Sequence, residues 1–290
     1  MTTVEELVRD VAVSGAPAWY LLMPGNAGDT IISVGFFDLA SRNGLRVTAT
    51  TKESEIPAGS VVFVNGGGYL VPEWDGTAAQ ARIENVANEA SRLVMLPCSI
   101  QGFEEFLANL PRHTDLFLRE QYSYDHAIEH VPEGVRCHVD DDTAFHLDVA
   151  RVLQTPLPSG FIRSLETKDR VRYALYWLLR ARGRVQKTLR AFRADPESAR
   201  DPGPLTVLGD ISLLANFGGA TEEECRVSAM LFAKGIEAYG KVITDRLHTA
   251  VMAALLGKEV VMIEGSYYKL RGVYEFSMSE NAHVTFQSHA

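Results

Sequence analysis

Lys241-Val242-Ile243-Thr244-Asp245-Arg246-Leu247-His248 opens the stretch, residues 241–276, on which the reading of the fold turns. Its first four residues form a β-branched run suited to a sheet. A small, apolar helical pattern starts at Thr249 and carries Ala250, Val251, Ala253, Ala254, Leu255 and Leu256 up to Gly257, a residue suited to end it in a left-handed turn. Glu259-Val260-Val261-Met262-Ile263 then reads as a strand covered on both faces, because its apolar character is continuous rather than alternating. Strand, buried helix and strand make a βαβ unit, and ligands of such units gather beyond the carboxyl ends of the strands. Asp245, Arg246 and His248 fall at the first such end, around the apolar anchor Leu247, and residues 265–269, ending in Lys269, fall at the second. A carboxylate and a guanidinium at a strand end often do no more than fix a loop. An imidazole beside them titrates near neutrality and adds the capacity for proton transfer.

The same alternation runs through the preceding half of the chain. Residues 3–14 read as a short amphipathic helix and 18–23 as a strand, which leads through Pro24-Gly25-Asn26-Ala27-Gly28-Asp29-Thr30 into a helix reaching Ala40. A glycine-rich turn at a helix start presents unpaired N–H groups and the positive end of the helix dipole to an anion; the plainer reading is a tight turn capped by Asp29. Neither the P-loop nor the dinucleotide fingerprint is matched, since no Gly-Lys-Ser/Thr is present and Gly25, Gly28 and Gly35 are wrongly spaced. Further strands are expected at 46–51, 60–64, 92–96, 115–118 and 135–139, and helices at 77–91, 104–110 and 123–129. Their carboxyl ends would gather Asn26, the run Gly66-Gly67-Gly68, Ser99 and Arg119 along one edge of a parallel sheet. Asp140 and Asp142, with His138 and His146 near, match the Asp-x-Asp pair used by many metal-dependent glycosyltransferases, but consecutive acids at a strand end also cap the next helix. No metal ligands are assigned on so short a pattern.

Composition changes after Pro156. Residues 166–192 read as one helix with Val171, Leu175, Leu178, Val185, Leu189 and Phe192 on one side, and with Lys168, Arg170, Arg172, Arg180, Arg182, Arg184, Lys187 and Arg190 around them. Such a helix either attaches to an anionic membrane surface or a lipid-linked acceptor, or joins two domains with its basic face in water. Asp201-Pro202-Gly203-Pro204 punctuates the chain, and a second α/β half is expected from Leu205, with a long helix over 221–239. The expected division is therefore an N-terminal Rossmann-like domain over 1–155, a basic helical linker over 156–204, and a C-terminal Rossmann-like domain over 205–290 holding the crevice of Asp245, Arg246 and His248.

With 290 residues, 46% hydrophobic and 22% charged, the chain has the composition of a soluble globular protein with room for two domains. A net charge of −9 argues against a general nucleic-acid binder. The N-terminus lacks a basic run and apolar core, and the three cysteines, Cys98, Cys137 and Cys225, are too sparse for a disulfide framework or zinc site. A cytoplasmic protein is expected, with peripheral contact at the inner face of the membrane if the basic helix attaches there.

Several segments in order resemble the polysaccharide pyruvyl transferase family. They are Gly25-Asn26-Ala27-Gly28-Asp29, Gly66-Gly67-Gly68, Leu96-Pro97-Cys98-Ser99-Ile100, Leu118-Arg119-Glu120-Gln121-Tyr122-Ser123, Asp142-Thr143-Ala144-Phe145, Phe192-Arg193-Ala194-Asp195-Pro196-Glu197, and Thr244-Asp245-Arg246-Leu247-His248 with Ser266-Tyr267-Tyr268-Lys269. The chain departs from the family at Cys98, where Gln is frequent, and at Pro196. The resemblance implies an α/β, GT-B-like fold of two Rossmann-like halves facing across a cleft. It also implies transfer of the pyruvyl group of phosphoenolpyruvate onto two hydroxyls of a sugar or glycan acceptor, free or lipid-linked, as a cyclic ketal. No cofactor is implied, since phosphoenolpyruvate is itself the donor. Arg193 and Arg246 are the expected donor-binding pair, because a guanidinium binds carboxylate or phosphate through two parallel bonds, with Lys269 adding a contact. His248 is the expected acid/base group, with Asp245 orienting it or Arg246. Leu247, Asn26, Asp29, Gly66, Gly67, Gly68, Ser99 and Arg119 complete the expected lining. A nucleotide-sugar glycosyltransferase of the same fold, and a binding or regulatory module without turnover, are the alternatives; ligand choice and turnover separate them.

Overall fold

The computed structural model describes residues 2–74, 76–193, 195 and 209–288. Its contacts divide into two units, one of Met1–Pro24, Gly35–Leu147 and Ala220–Glu222, the other of Gly25–Val34, Asp148–Gly219 and Glu223–Ala290. That division differs from the one expected from composition: the basic segment after residue 155 is part of the second unit, and so is the glycine-rich turn at Gly25. The expected boundary at 204–205 lies outside the described residues, as do Ala194, Pro196 and Glu197.

The first unit begins with a reciprocal cap. Thr3 Oγ1 accepts from the Glu6 N–H at 3.1 Å and the Glu6 carboxylate accepts from the Thr3 N–H at 2.9 Å, which starts α1 (Val4–Ser14). There follow β1 (Ala18–Leu21), α2 (Ala27–Arg42, of which the part up to Val34 belongs to the second unit), β2 (Val47–Thr50), β3 (Val61–Val64), β4 (Gly67–Leu70), α3 (Thr77–Ala87), β5 (Arg92–Ile100), α4 (Glu104–Ala108), β6 (Thr114–Leu118), α5 (Gln121–Ile128) and β7 (Arg136–Val139). The seven strands form a parallel sheet in the order β2-β1-β3-β5-β6-β7, with β4 beside the second half of β5. Phe36 and Phe37 of α2 pack on Tyr20 with ring centroids 4.5 and 5.3 Å apart, and Phe36 reaches Phe63 at 4.9 Å. Across the sheet, Val62, Val64, Leu93, Met95, Ile83 and Phe106 belong to one buried cluster. Each such side chain contributes about 1.5–3 kcal/mol on leaving water, so the strands are held by core rather than by propensity.

The second unit contains α6 (Val149–Leu153), α7 (Phe161–Ser164), α8 (Thr167–Arg182), β8 (Thr188–Ala191), α9 (Ile211–Leu214), α10 (Glu222–Glu237), β9 (Lys241–Thr244), α11 (Leu247–Leu255), β10 (Glu259–Ile263), α12 (Lys269–Val273) and β11 (Val284–Gln287). Its four strands are parallel in the order β11-β10-β9-β8. The expected βαβ unit is present as β9-α11-β10, with β9 and β10 paired. Gly257, at φ +66°, ends α11 through bonds from its own N–H to Ala254 and from the Lys258 N–H to Ala253, a pattern that only glycine adopts without strain. No helix among the described residues is long and apolar enough to cross a membrane.

Three expectations of secondary structure need correction. The helix expected over 166–192 stops at Arg182, and Thr188–Ala191 is a strand with Leu189 and Ala191 buried and Arg190 exposed. Basic residues continue at helical spacing past the break and hide it, while the alternation that marks a strand lasts only four residues. The glycines Gly67 and Gly68 lie within β4 rather than in a loop, and β11 was not expected at all.

Candidate functional site

Parallel pairing in the second unit places Ala191 of β8 beside Thr244 of β9, and Thr244 beside Met262 of β10. Segments that leave these strands at their carboxyl ends therefore start side by side. Thr244 fastens two of them, its hydroxyl donating to the Ala191 carbonyl at 2.6 Å and accepting from the Arg246 N–H at 2.9 Å. Asp245 adds a second tie by accepting from the Arg193 backbone N–H at 2.8 Å.

On that base stands a network of buried charges. Arg193 grips Asp195 with Nε and Nη2 at 2.7 and 3.1 Å, and Arg246 Nη2 reaches the same carboxylate at 2.9 Å. Arg246 is also held by Asp210, with Nε to Oδ2 at 2.8 Å and a second bond from Nη2. Asp210 in turn caps α9 by accepting from the Ser212 N–H and hydroxyl. Arg193, Arg246 and Asp210 are buried, whereas the Asp195 side chain is 20% exposed. Two guanidiniums thus converge on one carboxylate at the rim, and Arg246 Nη1 makes no hydrogen bond among the described residues. Burial pushes the Asp245 carboxyl above the usual range, opposed by the Arg193 N–H and the charges of Arg193 and Arg246.

The remaining expected residues of this unit fall around the network. Lys269, buried at the start of α12 after β10, has its Nζ 5.0 Å from the centre of the Tyr267 ring. Leu247 is buried at the start of α11, and His248, half-buried, follows it. His248 packs on the glycine-rich turn: a Cβ on Gly28 would sit 2.9 Å from both Cβ and Nδ1 of His248. The Asn216 side chain donates to the Gly25 carbonyl at 2.7 Å and ties the same turn down. Asp245 makes no hydrogen bond to His248 or Arg246 among the described residues. The orienting role expected of Asp245 is thus not carried by a hydrogen bond; its own bond goes to the backbone of Arg193.

The turn itself is satisfied from within. Asn26 Oδ1 accepts from the Gly28 N–H at 2.7 Å, the Asp29 carboxylate accepts from the Asn26 N–H at 2.7 Å, and the Asn26 carbonyl takes the N–H groups of Asp29 and Thr30. Asn26 and Asp29 therefore cap α2, and a carboxylate already occupies the helix start that the sequence offered to an anion.

In the first unit the expected residues form a separate, structural cluster. Arg119 is buried, donating from Nε to Ser99 Oγ at 2.9 Å and from Nη1 to Asp142 at 2.8 Å. Asp142 also caps the short turn after it through the Ala144 N–H, and Asp140 accepts from the Val4 N–H at 2.6 Å. Asp140 and Asp142 are thus spent on ties between elements. Gly66 and Gly67 are buried and Gly68 half-buried, the last two as strand residues opposite β5. Ser99 and Arg119 join the ends of β5 and β6 rather than lining an open surface.

Asp210 and Asn216 were not among the expected site residues. Asp210 carries an ordinary cap signal, Asp-Ile-Ser, but it follows the punctuated segment and reads as a local turn. Asp195 stands within a quoted motif; its bridging role depends on Arg246, 51 residues away.

The family model described as polysaccharide pyruvyl transferase matches residues 24–267. No curated protein matches the chain. Among solved structures, the chain is similar to an uncharacterized protein from Klebsiella pneumoniae subsp. pneumoniae NTUH-K2044, with 25% identity and a TM-score of 0.75 over 98% of this chain and 97% of that one.

Proposed function

Since the chain belongs to the polysaccharide pyruvyl transferase family, we propose that it transfers the pyruvyl group of phosphoenolpyruvate onto two hydroxyls of a glycan as a cyclic ketal. The observation that supports this reading is the convergence of Arg193 and Arg246 on the single carboxylate of Asp195. Two forks already aimed at one carboxylate can take the carboxylate or phosphate of the donor, and the more exposed Asp195 is the partner that would yield. Asp210 holds Arg246 in place meanwhile, and Lys269 supplies a third cation.

In the proposed reaction, His248 takes part in moving protons. A proton is delivered to the methylene carbon of the donor, and the first sugar hydroxyl adds to the neighbouring carbon as it loses its own proton. The carbon–oxygen bond to phosphate then breaks, and the second hydroxyl closes the ketal. Of the two hydroxyl protons, one ends on the new methyl group and the other on the released phosphate, so no outside oxidant or reductant is required. The arginines offset the negative charge that grows on the departing phosphate. We place the reaction in the cytoplasm, whose reducing state fits three free thiols.

Phosphate release from phosphoenolpyruvate in the presence of cell-derived glycans tests the reading. Replacing His248 by Ala should lower turnover by roughly 10²- to 10⁴-fold while phosphoenolpyruvate still protects against heat. A ligand at about 100 times its dissociation constant stabilises the native state by roughly 2.7 kcal/mol, which such a measurement resolves. Protection by a nucleotide sugar and none by phosphoenolpyruvate would overturn the proposal in favour of glycosyl transfer. Protection without turnover on any glycan would make the protein a binding module.

A further inference from the structure

Helix α8 buries one face and leaves an apolar stripe on the other. Tyr176 and Leu179 are buried against the neighbouring helix α10, with the Tyr176 hydroxyl donating to the Leu231 carbonyl at 2.9 Å and the Tyr239 hydroxyl donating back to the Leu179 carbonyl. At the opposite side of the helix stand Val171, Ala174, Leu178 and Ala181, spaced three, four and three residues apart and all exposed. Val171 is 57% exposed, Leu178 66%, and Val185, just beyond the helix, 85%. Half-exposed Trp177 borders the stripe, and Ile162 of α7 is exposed as well. Val171, Leu178 and Val185, all on the apolar side read from the sequence, are thus turned to water.

Positive charge surrounds this stripe. Residues 160–190 carry nine basic side chains and two acidic ones, a net of +7 in a chain of total charge −9. The acids are already paired, Glu166 with Lys168 at 3.3 Å and Asp169 with Arg172 at 2.9 Å. On the helical wheel Arg170 flanks the stripe on the Trp177 side, and Lys168 and Arg182 flank it on the other; Arg180 lies over the Trp177 ring at 5.0 Å. Apolar side chains between cations, with an aromatic ring at the border, match the layering of a bilayer interface, where tails lie beneath anionic headgroups. A second protein helix would need acidic flanks to meet these cations. Two copies of this surface would bring like charges together.

We infer that the exposed face of α7 and α8 docks on an anionic lipid surface through Val171, Trp177, Leu178 and Val185, with the flanking arginines and lysines on the headgroups. The docking goes beyond the proposed transfer reaction and does not depend on it. Only the corollary that the acceptor glycan is carried on a lipid rests on that reading.

Co-sedimentation of the full chain with vesicles of phosphatidylcholine alone, and with phosphatidylglycerol added, tests the docking apart from any turnover. Binding should appear with the anionic lipid and weaken as salt rises, because the Debye length shortens to about 8 Å at physiological ionic strength. Arg182→Gln should lower the partition coefficient roughly fivefold, as expected for one basic residue at a charged leaflet. Leu178→Asp should lower it by about tenfold or more, since it removes an inserted apolar group and adds a repelled charge. Both variants should keep the wild-type melting temperature, as both positions face water. Equal binding to neutral and anionic vesicles, or no binding to either, would overturn the inference. So would a Leu178→Asp protein that keeps its lipid binding and instead turns from dimer to monomer in light scattering, which would assign the stripe to a second copy. Phosphate release on a free glycan, measured in parallel, tells failure of docking from failure of the transferase reading.

Discussion

Adding one methyl group at Gly28 probes the candidate site without touching any of its charged groups. An Ala Cβ there would lie 2.9 Å from Asn26 Oδ1, His248 Cβ and His248 Nδ1, about 0.5 Å inside the 3.4 Å at which ordinary contact begins. The Asn26 amide and the His248 ring can rotate away. The His248 Cβ cannot, being fixed to the backbone of α11, so the turn and the helix must separate. Overpacking of this kind costs about 1–3 kcal/mol, and displacing a catalytic group by as little as about 1 Å can cost roughly 10²-fold in rate. Gly28→Ala should therefore lose both stability, in urea unfolding, and most of its phosphate release. In the Gly28→Ala background, His248→Ala removes the Nδ1 contact but keeps the Cβ contact, so it should restore only part of the lost stability. Wild-type stability and turnover in Gly28→Ala would refute the packing argument. Lost stability with full turnover would show that the position of His248 does not matter to the chemistry.

Other outcomes follow from the charged groups. Arg246→Lys should weaken thermal protection by phosphoenolpyruvate, because an ammonium cannot hold Asp210 and a donor anion with a planar fork; unchanged protection would remove Arg246 from donor binding. Asp115 lies buried between Arg92 and Arg136 in the first unit. Burial pushes its carboxyl up, but hydrogen bonds from Arg136, His138 and Arg92 outweigh that and hold it well below the usual range. A lowered folded-state value means that its stabilisation is present above the unfolded value near pH 4 and is lost as pH falls below it. Asp115→Asn should cost about 1–3 kcal/mol at pH 7 and flatten the acid limb of a urea-midpoint profile. A variant with the wild-type slope between pH 5 and 2 would refute the assignment. Burial pushes the Cys98 thiol up to about 12, so iodoacetamide at pH 8 should label Cys98 only after unfolding; rapid labelling in the native protein would contradict the packing of β5.

Patterns that repeat within a few residues were legible in the sequence. The β9-α11-β10 unit could be read because its strands are continuously apolar, its helix is made of small apolar residues and its end is marked by Gly257. β4 could not, because two of its four residues are glycines and offer no side-chain periodicity. β8 was masked by a charge pattern that continues past Arg182 although the helix does not. Among the site residues, Arg246 was recognisable as a cation at a strand end and Arg193 only through the family resemblance, since the strand before it reads as helix; the structure ties both to Asp195. The partner Asp210 depends on a contact 36 residues distant in sequence, which no local pattern encodes. Arg119 and Ser99 looked the same as Arg246 by position, a polar residue after a buried strand. Both arginines are buried, and their partners separate them: Arg119 bonds to the buried Ser99 and Asp142, whereas Arg246 reaches Asp195, whose side chain is 20% exposed.

The glycine-rich turn shows how such a distinction changes the chemistry expected of a segment. In sequence, Gly25-Asn26-Ala27-Gly28-Asp29 offers free backbone donors and a helix dipole to an anion. In the fold, Asn26 and Asp29 take the N–H groups of Asn26, Gly28, Asp29 and Thr30, and the Asp29 carboxylate puts a negative charge at the helix start, which disfavours a second anion there. What the turn contributes to the second unit is instead a surface without a side chain at Gly28, against which His248 rests. In the proposed reaction, anion recognition falls to groups that carry full positive charge, Arg193, Arg246 and Lys269, and the turn packs against the imidazole of His248. Substituting Asp29 should therefore act first on the stability of the α2 cap, by about 0.5–2 kcal/mol, and on donor affinity only as far as the turn shifts His248.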